Sequence, residues 1–142
     1  MSTILITGAS GGLAQEIVKL LPQDQLILLG RNNEKLVQLY GNHLQAELIE
    51  IDITDVQAIE ELVAELYQRY GKIDVLINNA GYGIFDEFDK ISDQDIHQMF
   101  EVNTFALMNL SRLVGTLMKE TRKGHIINIV SMAGLIATGK SS

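Results

Sequence analysis

The chain alternates short apolar runs with longer segments in which apolar residues recur at steps of three and four. The short runs are rich in Ile, Leu and Val and are bounded by Gly, Asn or Asp, a pattern typical of strands buried on both faces of a sheet. The longer segments have the spacing of amphipathic helices. The predicted strands are Thr3–Thr7, Leu26–Leu29, Ala46–Ile51, Asp74–Ile77 and His125–Val130.

Four helices are predicted between these strands, and two of them have recognisable start signals. The third is expected to begin at Thr54, because Gln57 follows three residues later with the spacing of a capping box. The fourth is expected to begin at Ser92, with Asp95 three residues further on. The predicted buried stripe of the fourth helix comprises Ile96, Phe100, Leu107, Leu110, Val114 and Leu117.

Regular alternation of strands and helices predicts an α/β fold with a doubly wound parallel sheet and right-handed crossovers. In the predicted strand order, 3-2-1-4-5, the last strand lies at an edge. An exposed apolar edge invites pairing with another chain, so either a partner covers it or more chain follows, and we expect the second. With no repeat, no linker and one proline, residues 1–142 are expected to form one domain.

Composition excludes several classes of function. The hydrophobic fraction of 46% and charged fraction of 20% exclude a disordered or low-complexity chain. Eleven basic and eighteen acidic residues give a net charge of −7, which disfavours general binding to nucleic acid or to an anionic membrane. Cysteine is absent, and no metal-ligand spacing is recognisable. Without a readable signal peptide or membrane span, a cytoplasmic protein is expected.

The turn after the first strand has the features of a phosphate-binding loop. It reads TGASGGLA, from Thr7 to Ala14. Gly8 permits a tight turn, Gly12 allows close approach of a phosphate, and Ser10 offers a hydroxyl, while the amides at the start of the next helix point at the ligand. A plain glycine-rich turn is the alternative. Its position in the first βα unit favours nucleotide binding.

The end of the second strand bears on the choice between dinucleotides. NAD-binding folds place an acid about 20 residues after the glycine turn. Here that region reads Gly30-Arg31-Asn32-Asn33, with no acid until Glu34. Arg31 suits a 2′-phosphate, although an exposed arginine at a helix start is the simpler alternative. Because a cation is unfavourable at a helix N-terminus, a counter-charge is needed, and we favour the phosphate.

Polar residues follow later strands at the edge where open α/β sheets bind ligands. Asp52 either accepts from an adenine amino group or forms an Asx turn before Thr54. Asn103 falls on the apolar stripe of the fourth helix, so its amide must be satisfied by backbone, water or ligand. A structural bond to a neighbouring loop is at least as compatible with the pattern. Ser131 ends the last strand, where the pattern alone favours a simple cap or turn serine. The segment Asn78–Gly81 follows the fourth strand.

Four motifs together resemble the short-chain dehydrogenase/reductase family: TGASGGLA, NNAG at 78–81, FEVN at 100–103 and IVSMAG at 129–134. Their order and spacing match that family across nearly all of the chain. The resemblance implies a Rossmann-like fold and a nicotinamide cofactor, with Arg31 marking NADP(H) over NAD(H). The implied cofactor-binding residues are Gly8, Ser10, Gly11, Gly12, Leu13, Arg31, Asp52, Ile53, Asn79, Ala80 and Gly81.

The resemblance also implies an activity, namely hydride transfer between the nicotinamide and a small carbonyl or alcohol substrate. Ser131 would polarise the substrate carbonyl, and Asn103 would hold a water of the family's proton relay. The family's catalytic Tyr and Lys, spaced Y-x-x-x-K, would fall just past Ser142, and no tyrosine of this chain has a lysine at that spacing. We therefore expect the N-terminal, cofactor-binding part of a longer enzyme, inactive by itself.

Two further expectations concern partners. The apolar residues Val102, Phe105 and Met108 lie off the main stripe of the fourth helix and suggest a second buried face, which suits the dimers and tetramers of the resembled family. The alternative is that the expected further part of the enzyme alone buries this face. The alternative to an enzyme is a non-catalytic nucleotide-binding or interaction module, whose edge strand pairs with a partner. That alternative depends on the missing Tyr and Lys.

Overall fold

The computed structural model describes residues 1–80 and 92–130 and contains the predicted alternation of strands and helices. Each apolar run forms a strand, and each amphipathic segment forms a helix. The strands are β1 (Thr3–Ile6), β2 (Gln25–Gly30), β3 (Ala46–Glu50), β4 (Val75–Ala80) and β5 (His125–Val130). The helices are α1 (Gly12–Lys19), α2 (Asn33–Tyr40), α3 (Val56–Tyr70) and α4 (Asp93–Thr121).

All five strands pair in parallel in the order β3-β2-β1-β4-β5, which confirms the predicted fold class and strand order. The chain builds outward from β1 to β3 and then crosses back to place β4 on the other side of β1. This reversal lies between β1 and β4, and the pair Ile6 and Ile77 marks its register. Open α/β sheets bind ligands outside the carboxyl ends of the strands at such a reversal.

The sheet has a hydrophobic core on each face, because successive side chains of a strand point to opposite sides. Along β1, Leu5 packs toward α3 and α4, whereas Ile4 and Ile6 pack toward α1 and α2. The first core also contains Ile27, Leu29, Ile59, Leu62, Val63, Leu66, Ile73, Leu76, Leu110, Val114 and Met118. The second also contains Ala9, Ala14, Val18, Leu26, Leu28, Leu36, Tyr40 and Ile77.

Burial departs from the prediction in two places. Phe100, assigned to the buried stripe of α4, is 40% exposed. Ile127 of β5, a run assigned to a strand buried on both faces, is 46% exposed, because β5 lies at the edge of the described sheet. None of the helices within residues 1–80 and 92–130 is long and apolar enough to cross a membrane.

One predicted helix start is confirmed and the other is wrong. The Ser92 hydroxyl accepts a hydrogen bond from the Asp95 amide at 3.1 Å and caps α4. The cap of α3 is Asp55, whose carboxylate accepts from the Ala58 amide, and not Thr54. The Thr54 hydroxyl is already engaged, since it donates to Asp52 at 2.7 Å.

Candidate cofactor-binding site

A cavity of about 520 Å³ lies at the carboxyl ends of β1, β2, β3 and β4, next to the reversal in strand order. It brings together most of the residues that the sequence singles out. Its lining comprises Gly8, Ser10, Gly11, Leu29, Gly30, Arg31, Asn32, Lys35, Ile51, Asp52, Ile53, Thr54, Asn79, Asn103 and Leu107.

The glycine-rich turn after β1 is held in place by hydrogen bonds to three other elements. The Thr7 amide donates to the Ile77 carbonyl at 3.0 Å, and the Ala9 amide donates to the Leu29 carbonyl at 2.9 Å. The buried hydroxyl of Tyr40, at the end of α2, donates to the Ala9 carbonyl at 2.6 Å. These contacts fix the backbone of the turn without using a ligand.

Gly8 adopts a left-handed conformation that a side chain would disturb. Its φ is +59°, and a Cβ at this position would lie 2.2 Å from the backbone oxygen of Asn79. Asn79 in turn anchors the turn, because its amide donates to the Thr7 hydroxyl at 3.0 Å and its side-chain Nδ2 donates to the Gly8 carbonyl at 3.1 Å. The glycine predicted for the tight turn is therefore required by close approach to β4.

The neighbouring Asn78 forms hydrogen bonds that connect the sheet to α4. Its side chain is fully buried and donates to the Ser111 hydroxyl at 2.9 Å and to the Asn128 side-chain oxygen at 2.8 Å. These bonds connect β4 to α4 and to β5. The two asparagines of the NNAG motif thus act on opposite sides: Asn78 toward β5 and α4, and Asn79 toward the cavity.

The N-terminus of α1 is suited to an anion. Its first turn has no acidic residue, and among residues 1–80 and 92–130 no side chain caps it and no atom lies within 4 Å of a Cβ placed at Gly12. The first amides of a helix lack intrahelical partners and carry the positive end of the helix dipole. A phosphate group fits this open end, and Gly11 and Ser10 connect it to the cavity.

The end of β2 and the start of α2 contribute two basic side chains to the cavity lining, Arg31 and Lys35, which we call the cationic corner. The Arg31 guanidinium is 81% exposed, and its Nη2 lies 3.9 Å from the Asp52 carboxylate. An exposed pair at that distance contributes little. Asp52 also forms the Asx turn, accepting from the Thr54 amide at 2.9 Å. Those Thr54 bonds, and secondarily Arg31, hold the pKa of Asp52 below its usual value.

Asn103 lies on α4 and borders the cavity as well as an adjoining one of about 340 Å³ that contains Asp95 and Gln98. It is half-buried, and its Nδ2 donates to the Met99 carbonyl one turn earlier at 2.8 Å. The predicted need for a partner is met by its own helix, so the bond is neither to a loop nor to a ligand. The bond uses one of the two N–H donors of the amide and leaves the other N–H and the side-chain oxygen.

Some predicted residues are placed only in part. Gly12 and Leu13 begin α1 beside the cavity, and the Leu13 side chain is 47% exposed. Ala80 is the last residue of β4. Gly81 and Ser131 lie outside the described residues. Within the described ranges, no group of three or more acidic or histidine side chains is arranged to hold a metal ion.

The sequence interpretation missed three contributors, Lys35, Tyr40 and Glu50. Lys35 had a readable signal, since a cation in the first turn of a helix needs a counter-charge as much as Arg31 does. Tyr40 and Glu50 act across 31 and 17 residues of sequence, on Ala9 and Asn33 respectively. No spacing within one element indicates such contacts.

Comparison with known proteins identifies relatives along the whole chain. The family profile described as short chain dehydrogenase matches residues 2–142. The probable short-chain type dehydrogenase/reductase VdlC of Helicobacter pylori is 33% identical over 135 residues, covering 94% of this chain and 49% of that protein. The chain spans about half the length of the curated relatives it first matches.

Solved structures agree with the fold. Serine dehydrogenase from Escherichia coli superposes with a TM-score of 0.78 at 33% identity, covering 92% of this chain and 62% of that one. A metagenomic short-chain oxidoreductase in complex with NADP gives a TM-score of 0.79 at 29% identity, again with 92% and 62% of the two chains covered.

Proposed function

Because this chain belongs to the short-chain dehydrogenase family, we propose that it binds NADP(H) and serves hydride transfer between that cofactor and a small carbonyl or alcohol substrate. Residues 1–142 then act as one cofactor-binding domain. One observation carries the proposal: a single cavity is bordered by an uncapped helix N-terminus and by the cationic corner. These are two places for anions, as a dinucleotide with a 2′-phosphate requires.

Each part of the cofactor has a complementary group in this site. The amides at the start of α1 would hold the pyrophosphate, and Arg31 with Lys35 would hold the 2′-phosphate. Asp52 and Ile53 would flank the adenine, and Asn79, Ala80 and Gly81 would line the remaining length. When bound, the nicotinamide ring would supply or accept the hydride. The related complex with NADP supports this choice by family likeness.

Two residues of the chain have proposed roles at the substrate. Ser131 directly follows β5 in sequence, and we assign its hydroxyl to the substrate carbonyl, where a hydrogen bond stabilises developing negative charge. Asn103 would hold a water that moves protons. One N–H of its Nδ2 is used by the Met99 carbonyl, so its side-chain oxygen would accept from that water or its second N–H would donate to it. Hydride transfer is tested by NADPH consumption with small ketones and aldehydes, using the longest natural form of the protein.

Calorimetric titration with NADPH and NADH tests the cofactor assignment directly. A charge-assisted hydrogen bond contributes about 1.5–3 kcal/mol, and the exposure of Arg31 favours the lower end, about tenfold in affinity. We expect NADPH to bind at least tenfold more tightly than NADH. Arg31→Ala should remove most of that gap by weakening NADPH alone. Lys19→Ala is the matched control, because it removes the same charge from the far end of α1.

Equal affinities in the unsubstituted chain would make Arg31 a solvated helix-start residue and overturn the NADP(H) assignment. Adding Gly30→Asp to Arg31→Ala should reverse the preference. The structure makes that variant harder to interpret, because a Cβ at Gly30 would lie 3.0 Å from a Leu36 methyl group. Its thermal unfolding must therefore be compared before its affinities are.

We also propose that the protein forms a homo-oligomer through α4. Val102, Phe105 and Met108 are 42%, 62% and 66% exposed, so the second apolar face predicted from the sequence lies on the surface of the single chain. Exposed apolar patches of this kind mark interaction sites. Sedimentation of the protein at micromolar concentration should give a dimer or tetramer. A strict monomer would contradict this proposal.

A further inference from the structure

A carboxylate lies beside the cationic corner. Glu50 is the last residue of β3 and pairs in register with Gly30, which directly precedes Arg31. Its Oε1 accepts a hydrogen bond at 2.9 Å from the amide of Asn33, the first residue of α2. Glu50 therefore places a negative charge at the start of the helix that carries Lys35.

The two helix starts near the cavity differ in this respect. α1 has no acid in its first turn and no capping side chain from the described ranges. At α2, Asn32 caps the Lys35 amide at 3.2 Å while Glu50 takes the Asn33 amide. A helix N-terminus attracts negative charge over about its first turn. At α2, the Asn32 and Glu50 side chains already occupy amides of the helix N-terminus.

Carboxylates of the chain already offset the positive charges of the corner. Arg31 and Lys35 supply two positive charges, while Asp52, at 3.9 Å from Arg31, and Glu50 supply two negative ones. Glu34, in the first turn of α2, adds a third carboxylate. Selection of a 2′-phosphate over a 2′-hydroxyl depends on an excess of positive charge, since only the phosphate is ionised. The negative charge of Glu50 therefore opposes the binding of a 2′-phosphate, which the positive charge of Arg31 favours.

We propose that Glu50 is a specificity-determining residue: its charge weakens binding of the 2′-phosphate and so limits the preference for NADP(H) over NAD(H). This inference rests on the proposed function, because it assigns the cationic corner to that phosphate. Asp52 is the less suitable residue to remove, since its carboxylate also holds Thr54 in the Asx turn. The Glu50 side chain makes one hydrogen bond in the part of the chain that the structure describes, and a glutamine side chain can form the same bond.

Glu50→Gln is the decisive variant, because glutamine keeps an oxygen for the Asn33 amide and removes only the charge. By calorimetry, we expect its affinity for NADPH to rise about threefold to tenfold and its affinity for NADH to change less than about twofold. Glu50→Ala is a second variant that also frees the Asn33 amide for the phosphate. It should raise the NADPH affinity at least as much.

Glu34→Gln is the matched control, since Glu34 lies in the first turn of the same helix and makes no hydrogen bond to its N-terminus within the described residues. If Glu34→Gln shifts the ratio of NADPH to NADH affinity as far as Glu50→Gln does, the effect is a general field and the inference fails. An unchanged ratio in both Glu50 variants also overturns it, while leaving the proposed function intact. If the unsubstituted chain binds neither dinucleotide, the proposed function and this inference fall together.

Discussion

Gly8 and Gly12, two glycines of the same motif after β1, should differ in what an alanine substitution changes. At Gly12 a Cβ would meet no atom of the described residues within 4 Å, whereas at Gly8 it would lie 2.2 Å from the Asn79 backbone oxygen. Gly12→Ala should therefore leave the fold intact and obstruct the ligand. Gly8→Ala should damage the fold itself.

The magnitudes follow from these contacts. Alanine is favoured over glycine within a helix by up to about 1 kcal/mol, so Gly12→Ala, at the first residue of α1, should keep or slightly raise stability. Its methyl group would occupy the approach to the α1 amides, and we expect NADPH affinity to fall at least tenfold, about 1.4 kcal/mol. Gly8→Ala combines left-handed strain of about 1–2 kcal/mol with overpacking of about 1–3 kcal/mol.

Calorimetric titration and urea unfolding of each variant separate these effects. Gly71→Ala is the matched control for backbone strain, because Gly71 has φ +77° at the end of α3 and open space around its Cβ position. It should lose stability through strain alone and bind NADPH normally. Unchanged NADPH affinity in Gly12→Ala would refute phosphate binding at this turn. Equal stability of Gly8→Ala and Gly71→Ala would show that the turn relaxes away from Asn79.

Further predictions concern stability. Tyr40→Phe leaves the buried Ala9 carbonyl without its donor, so the free energy of unfolding should fall by about 1–3 kcal/mol in urea titrations; a smaller loss would mean that water replaces the hydroxyl. Hydrogen bonds from Arg69 hold the pKa of Glu47 below its unfolded value. The ionised Glu47 therefore stabilises the fold above about pH 4.3, and this stabilisation is lost as the pH falls further. Glu47→Gln should flatten the acid limb of a stability–pH curve. Burial, and after it the hydrogen bond to Glu47, raises the pKa of Tyr70 to about 12. The stabilisation of the fold by protonated Tyr70 should therefore be lost as the pH rises from about 10 to about 12, and Tyr70→Phe should remove this loss of stability.

The strand order was predictable because it depends on the apolar pattern of each strand and on the alternation of strands with helices, both of which can be read from the sequence. Apolar runs such as residues 26–29 have no polar face, so they must be covered on both sides, and alternation with amphipathic helices leaves few arrangements. The start of α4 was readable for the same reason, since Ser92 and Asp95 are close in sequence. The start of α3 was misread because Asp52 competes for the Thr54 hydroxyl.

Most of the candidate site was predictable because a residue's place at a strand end decides its exposure to the cavity. Gly8, Arg31, Asp52 and Asn79 follow from that rule. The residues that tune the site do not, because their effect depends on which helix start or carbonyl a distant side chain reaches. Glu50 reads as an ordinary polar end of β3 until the register places it beside Gly30.

Asn79 shows how the fold prepares the cavity for a ligand. Its amide and side chain bind Thr7 and Gly8, so the same residue that ends β4 sets the distance between β4 and the glycine turn. The Tyr40 hydroxyl and the Leu29 carbonyl satisfy Ala9 from the opposite side. Because hydrogen bonds within the protein already satisfy these polar groups, the turn is ordered before a ligand binds. Binding therefore avoids the entropic cost of ordering it. The amides left over are those at the start of α1, where the negative charge of a pyrophosphate is best accommodated.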